Sequence, residues 1–142
     1  MKMVKKKKSR KKGIASKAKK KSAIARAVIK KGSGKITINK RMLNLVTPKY
    51  VYELIKEPIN LAENLIKEVD ISVSVEGGGF MSQAIAARGA IAKALLLYRP
   101  DEKLRQKFLK YDRMLLVDDV RRTEPKKPLG PKARKKKQKS KR

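Results

Sequence analysis

Residues 70–76, "DISVSVE", alternate without a break: Ile71, Val73 and Val75 fall on one side of an extended chain, Asp70, Ser72, Ser74 and Glu76 on the other. Successive side chains of a strand point to opposite faces, so this segment predicts a strand with one buried and one open face. Applied to "SAIARAVIKK" at 22–31, the same rule puts Ile24, Arg26 and Val28 together on one face of a strand. "GSG" at 32–34 then predicts a turn, and "KITIN", with Ile36 and Ile38 on one side, predicts a returning strand, so that the two form a hairpin. "NKR" at 39–41 reads as a second turn, leading into "MLNLV".

The period then changes. Thr47-Pro48 is a helix start by chemistry, because a threonine oxygen can cap and proline tolerates the first helical position. The helix is expected to run through "KYVYELIKE", break near Pro58 and resume as "INLAENLIKE", with Glu63 and Lys67 one turn apart. After Gly77, Gly78 and Gly79 comes the longest helical pattern, "SQAIAARGAIAKALLLY", with Ile85, Ala92 and Leu96 on one face and Ala84, Ala87 and Ile91 beside them. Its alanines and Gly89 permit close packing on a sheet. Pro100 ends it by Arg99. Asp101 can cap a further helix, "EKLRQKFLKY", that buries Leu104 and Phe108, and "MLLV" at 114–117 is the last apolar stretch. These elements predict an α/β (α+β) two-layer sandwich with a mostly antiparallel or mixed sheet and helices on one face.

Charge divides the chain. The 142 residues carry 41 Lys and Arg against 12 Asp and Glu, a formal charge of +29. Residues 1–22 hold +12; residues 23–120 hold 17 basic and 11 acidic residues, or +6; residues 121–142 hold 12 basic and one acidic, or +11. The middle is an ordinary, mildly basic domain. The two flanks predict long, disordered basic arms, because they cannot bury enough apolar surface to fold alone. So cationic a chain calls for a polyanion. With two Phe and four Tyr, and none in either arm, base stacking is not the main mode, which leaves phosphate recognition. No apolar run approaches the roughly 20 residues of a bilayer span, and no apolar stretch follows the first twelve residues to make a secretory signal, so no membrane partner and a cytoplasmic location are expected.

Catalytic chemistry is thin. The chain has no His and no Cys, which removes the commonest general base, the commonest nucleophile and most transition-metal ligands. "GSGKI" fails as a phosphate-binding P-loop, with Ile29 at the early glycine position and Ile36 after the lysine; "GGGFMS" lacks the third glycine of a dinucleotide fingerprint. Gly77, Gly78 and Gly79 still require a reason, either a tight structural turn or a close approach to an RNA phosphate. Asp118 and Asp119 admit two readings, a magnesium site or an internal ion-pair cluster with the nearby arginines, and the second is preferred. No cofactor, metal or small-molecule substrate is expected. A histone-like DNA-compacting protein and a nucleotide enzyme are the rival classes; the first would more naturally dimerise, and the second lacks its side chains.

Three blocks, "KKKSAIARAVIKKGSGKITIN", "VEGGGFMSQAIAARGAIAKALL" and "LLVDDVRRTEPKKPLGPKARKKKQKSKR", occur in an order and spacing that resemble the universal small-subunit ribosomal protein nine family, in its archaeal and eukaryotic-cytosolic form. The resemblance covers residues 19–142. One departure is "KAKKKS", where the family usually alternates arginine and lysine before a threonine; lysine offers a point charge in place of arginine's fork. The resemblance implies a fold shared with the second domain of ribosomal protein five, a non-enzymatic place in the head of the small ribosomal subunit, and three kinds of partner: small-subunit ribosomal RNA, peptidyl-site transfer RNA and neighbouring head proteins. Carried over by motif, Ser140, Lys141 and Arg142 are the transfer RNA contacts.

Ribosomal RNA contacts are expected from Lys19, Lys20, Lys21, Arg26 and Lys35, from Gly77, Gly78 and Gly79, and from Arg88 and Lys93 on the body. In the tail they are expected from Arg121, Arg122, Lys126, Lys127, Lys132, Arg134, Lys135, Lys136, Lys137 and Lys139. Pro125, Pro128 and Pro131 bias the early tail toward extended geometry, and 22 extended residues span on the order of 70 Å.

Overall fold

The alternating segment at 70–76 is the last strand in chain order, yet it sits at the middle of the sheet. In the computed structural model, which describes residues 13–128 and 130–134, five strands run in the order β1-β2-β5-β3-β4. They are β1 (Ile14–Lys20), β2 (Ala23–Lys31), β3 (Ile36–Ile38), β4 (Arg41–Met42) and β5 (Val69–Glu76). β5 pairs antiparallel with β2 and parallel with β3, which makes the sheet mixed. Four helices complete the body: α1 (Lys49–Leu61), the short α2 (Glu63–Ile66), α3 (Phe80–Tyr98) and α4 (Glu102–Tyr111).

The expected hairpin between β2 and β3 does not form, because β5 inserts between them. Asp70, at the start of β5, organises the connection: its Oδ1 accepts the backbone N–H of Ser33 at 2.8 Å and of Lys35 at 2.9 Å. Those two bonds, Lys35 first, hold the Asp70 carboxyl below its ordinary value. The N–H groups of Gly32 and Gly34 meanwhile donate to Glu68 and Val69. Gly32 has to be glycine, since a Cβ there would lie 2.0 Å from the Asp70 carboxyl carbon. The second turn does form a hairpin, β3–β4, around Asn39 and Lys40, both at positive φ.

Residues 1–22 are not wholly an arm. Ile14–Lys20 is a strand, paired along its length with β2 from Ile14↔Ile29 to Lys20↔Ala23. Its lysines hid the pattern. Ser16 and Ala18 face the helices and are buried, while Lys17 and Lys19 lie on the other face, so the alternation is present but carried by small residues.

The sheet's buried face is built small. Ala23, Ala25, Ala27 and Ile29 of β2 are fully buried, as are Val69, Ile71 and Val73 of β5 to within 1% exposure. The reverse face, with Lys17, Arg26, Ser72, Ser74 and Glu76, is exposed. Alanines on the strands meet alanines on α3, which lets helix and sheet backbones approach. Ser16 Oγ donates across that gap to the Ala90 carbonyl at 2.7 Å, and a Cβ on Gly89 would stand 3.3 Å from the Ala18 methyl.

Helix α3 departs from the expected one-sided pattern. It is buried nearly all round between Ala84 and Leu95, because α1, α4 and a 3-10 turn at Arg113–Leu115 cover the side away from the sheet. It is also 19 residues of sufficient length and apolarity to cross a membrane, contrary to the expectation drawn from uninterrupted runs. More than half of it is buried inside the fold, so its apolar surface is spent on the core.

Two helix boundaries also differ. Pro48 occupies the cap position of α1 itself, with no side chain capping it, so the Thr47 hydroxyl lies one residue too early. Pro58 does not break α1, which runs through it to Leu61 and turns at Ala62; the ring is buried in the helix layer, and that packing offsets the lost backbone bond. The end of the molecule follows the sequence reading more closely. Asp101 caps α4 by accepting the Lys103 N–H at 2.9 Å, and Leu104, Phe108 and Leu115 close the core.

Candidate nucleic-acid interface

Among the described residues, four cations meet where the β1–β2 turn and the start of the tail come together, beside the glycine run. Lys21 makes the turn at φ +54, and Ser22 follows. Gly77 packs directly on this turn: its φ is +73, and a Cβ would lie 2.7 Å from the Ser22 carbonyl oxygen. Gly78, at φ +66, would place a Cβ 3.1 Å from that of Ala23. Internal crowding therefore explains two of the three glycines, while a Cβ on Gly79 would meet nothing within 4 Å.

The tail is fastened to the same place. Asp119 N–H donates to the Lys19 carbonyl at 3.3 Å, beside the free edge of β1. Asp118 Oδ1 accepts the Lys19 backbone N–H at 3.1 Å and the Lys93 ammonium at 2.6 Å. Asp119 itself is 7% exposed, and its carboxylate takes the Arg121 guanidinium with both oxygens, at 2.7–3.1 Å, and the Lys20 ammonium at 2.7 Å. Arg121 first and Lys20 second hold the Asp119 carboxyl far below the carboxylate range, and Asp119 raises Arg121 in turn. The two acids form the ion-pair cluster preferred from the sequence, and its product is positional: it lays Arg121, Arg122 and Thr123 against the β1–β2 turn.

The result is an open cleft of about 490 Å³ lined by Lys19, Lys21, Ser22, Arg121, Arg122 and Thr123. The anticipated contact residues divide by availability. Lys21, Arg26, Lys35, Arg122, Lys126, Lys127 and Lys132 are exposed. Arg26 has only a loose approach to Glu76, 3.9 Å, with both side chains mostly solvated. Lys20 is 15% exposed and held by Asp119; Lys93 is 21% exposed and held by Asp118.

Arg88 is farther still from solvent. Its Nε lies 2.6 Å from Glu57 Oε2 and its Nη2 donates to Asp112 Oδ2 at 2.5 Å, with the side chain 11% exposed. That arrangement ties α3 to α1 and to the end of α4. In the tail, Arg134 forms a two-pronged bond to Glu124, with contacts of 2.5–3.1 Å, and lowers that carboxyl. Ten extended residues would span roughly 33 Å, so this part of the tail loops back rather than running straight. The pair is exposed, with Arg134 at 85%, so it is weakly held and screened by salt. Lys135, Lys136, Lys137, Lys139, Ser140, Lys141 and Arg142 lie outside the described residues.

Sequence reasoning missed Lys17, which stands directly across from Arg26 on the open sheet face, and the hydroxyls of Ser22 and Thr123 in the cleft. Once 14–20 is read as a strand, the spacing of Lys17 and Lys19 supplies the signal for that face. Among the described residues no group of three or more acids could hold a metal ion.

The family model described as Ribosomal protein S9/S16 matches residues 18–142. The small ribosomal subunit protein uS9 of Methanococcus maripaludis strain C5 is 47% identical over 123 residues, covering 84% of this chain and 92% of the relative. Its counterpart in Methanococcus vannielii is 48% identical over the same length, with the same coverage. The matched span takes in the β1–β2 turn, the glycine run, the Asp118–Asp119 fastening and the tail together, and on that extent of likeness the chain belongs to the ribosomal protein S9/S16 family.

Proposed function

We propose that this chain is a structural constituent of the small ribosomal subunit, located with the ribosome in the cytoplasm, that binds ribosomal RNA through its basic end and arms and brings the tip of its tail to peptidyl-site transfer RNA. The relatives' printed name, small ribosomal subunit protein, supports the first part. The observation that carries the RNA reading is the cleft, in which four of six lining residues are cationic and none is acidic. A surface of that kind recognises phosphate, with little preference for sequence. The body serves as the anchor and the tail as the reach. Lys126, Lys127, Lys132, Arg134, Lys135, Lys136, Lys137 and Lys139 neutralise phosphates along the tail's path, and Ser140, Lys141 and Arg142 meet the transfer RNA. Neighbouring head proteins complete the assembly, and the chain performs no catalysis.

The test is a truncation. Small subunits assembled with protein lacking Ser140, Lys141 and Arg142 are expected to form in normal yield and to bind peptidyl-site transfer RNA more weakly. Unchanged transfer RNA affinity would refute the role of the tip while leaving the ribosomal RNA role standing.

A further inference from the structure

We propose that the cleft between the β1–β2 turn and the first tail residues is a built seat for an RNA phosphodiester, with Lys21 and Arg122 as its charge clamp and the Ser22 and Thr123 hydroxyls as its neutral donors. This rests on the ribosomal RNA reading above and assigns a particular site within it.

The argument begins with which cations are already committed. Lys20 and Arg121 flank the cleft but share the Asp119 carboxylate. Lys19, Lys21 and Arg122 take part in none of the ion pairs among the described residues. Three cations converge on one concavity without a counter-charge, a mutual repulsion that an entering anion relieves. Both walls are fixed before any ligand arrives. The turn packs so closely on Gly77 that a Cβ there would collide with the Ser22 carbonyl, and two bonds between β1 and Asp118–Asp119 hold the root of the tail. A clamp held in this way loses little conformational freedom on binding. The hydroxyls complete the chemistry, since a Ser or Thr O–H can donate to a phosphate oxygen where a further ammonium would only add charge.

RNA is the occupant, rather than a small free anion, because the cleft is the first station of a longer cationic line. The chain leaves it at Thr123 and continues through Lys126 and Lys127, both exposed. A polymer of phosphates meets the whole line; an isolated ion meets only its beginning.

The test uses the full chain and purified small-subunit ribosomal RNA, with binding followed across a range of salt. One variant is Lys21→Gln with Arg122→Gln. The control is Lys103→Gln with Lys107→Gln, which removes the same charge from exposed positions on α4 beside the acidic Asp101 and Glu63. The cleft variant is expected to reduce the slope of log affinity against log salt by about 1 to 2, and the control by less than half as much. Equal effects of the two variants would overturn the cleft as a site while leaving general RNA binding intact. A flat salt dependence of the wild-type protein would overturn the RNA reading itself. A third variant, Ser22→Ala with Thr123→Val, keeps the charge; it is expected to weaken binding about 2- to 10-fold at unchanged slope. Unchanged affinity would overturn the hydroxyls' part.

Discussion

Arg88 tests the distinction between a cation that holds the protein together and one proposed to hold RNA. The Arg88→Met change keeps most of the side chain's length and apolar packing but deletes the guanidinium between Glu57 and Asp112. The two carboxylates then lose a shared partner, although they are 25% and 31% exposed and so retain some water. Breaking a fully buried pair costs about 3–5 kcal/mol, and partial hydration puts this case at about 2–3 kcal/mol. Asp112 also accepts the Met114 N–H at 2.7 Å, so a displaced carboxylate loosens the 3-10 turn that carries Leu115 into the core. For a folded body of this size each kcal/mol moves the melting midpoint by about 4 °C, giving an expected fall of about 8–12 °C. Far-UV circular dichroism during heating measures it, at low and at high salt. The fall should persist at high salt, because pairs shielded from solvent are screened little. Binding to ribosomal RNA, measured below the transition, should keep its wild-type salt slope. A midpoint within a degree or two of wild type, together with a reduced slope, would refute the reasoning and return Arg88 to the RNA-contact role suggested by its charge.

Two further changes probe the basic end. Asp119 has its carboxyl depressed in the folded state from an ordinary 3.8, so the native protein binds fewer protons than the unfolded chain below that pH, and stability is fully present above about pH 4 and lost as pH falls further. Urea midpoints between pH 6 and pH 3 should therefore drop steeply for wild type and less steeply for Asp119→Asn; identical profiles would count against the fastening. Gly77→Ala forces a side chain into a left-handed backbone at a cost of about 1–2 kcal/mol, with a further cost from the Ser22 carbonyl at 2.7 Å, whereas Gly79→Ala should change stability by less than about 0.5 kcal/mol. Equal urea midpoints for the two variants would show that crowding does not set the identity of Gly77.

The parts of the fold legible in the sequence were those whose pattern is written in large apolar side chains. β5 alternates valine and isoleucine against serine, α3 runs long between Gly79 and Pro100, and α4 carries its own cap; β5 and α4 appear as expected, and α3 in its existence and length though not in its one-sided burial. β1 was illegible because its buried positions are Ser16 and Ala18, too small to register among lysines. The β2–β3 connection was misread for a different reason. A turn sequence and two flanking strands specify a hairpin only if nothing else competes for the edge between them. Here β5, distant in sequence, takes that edge and secures it with Asp70, a contact no local window contains.

The same limit governs the site, and there it has a functional consequence. Composition identified the cations but treated them as equivalent, since a count of charge carries no information about partners. The fold sorts them. Arg88, Lys93 and Lys20 are drawn inward to acids; Lys21, Arg122, Lys126 and Lys127 are left outward. Arg88 is held by Glu57 and Asp112, while the acids that hold Lys20 and Lys93, Asp119 and Asp118, stand where the tail leaves the body, among the few acids in a chain of +29 net charge. Their negative charge offsets local repulsion among Lys19, Lys20, Lys93 and Arg121, and so allows a cationic segment to lie against a cationic strand at all. Without them Arg121 and Lys20 would repel, and the tail would leave the body in no fixed direction. A tail whose root is fixed searches for its RNA partner from a defined point and direction, which reduces the ordering entropy that binding must overcome. On the proposed RNA-binding reading, the acidic pair would aid RNA recognition without touching RNA.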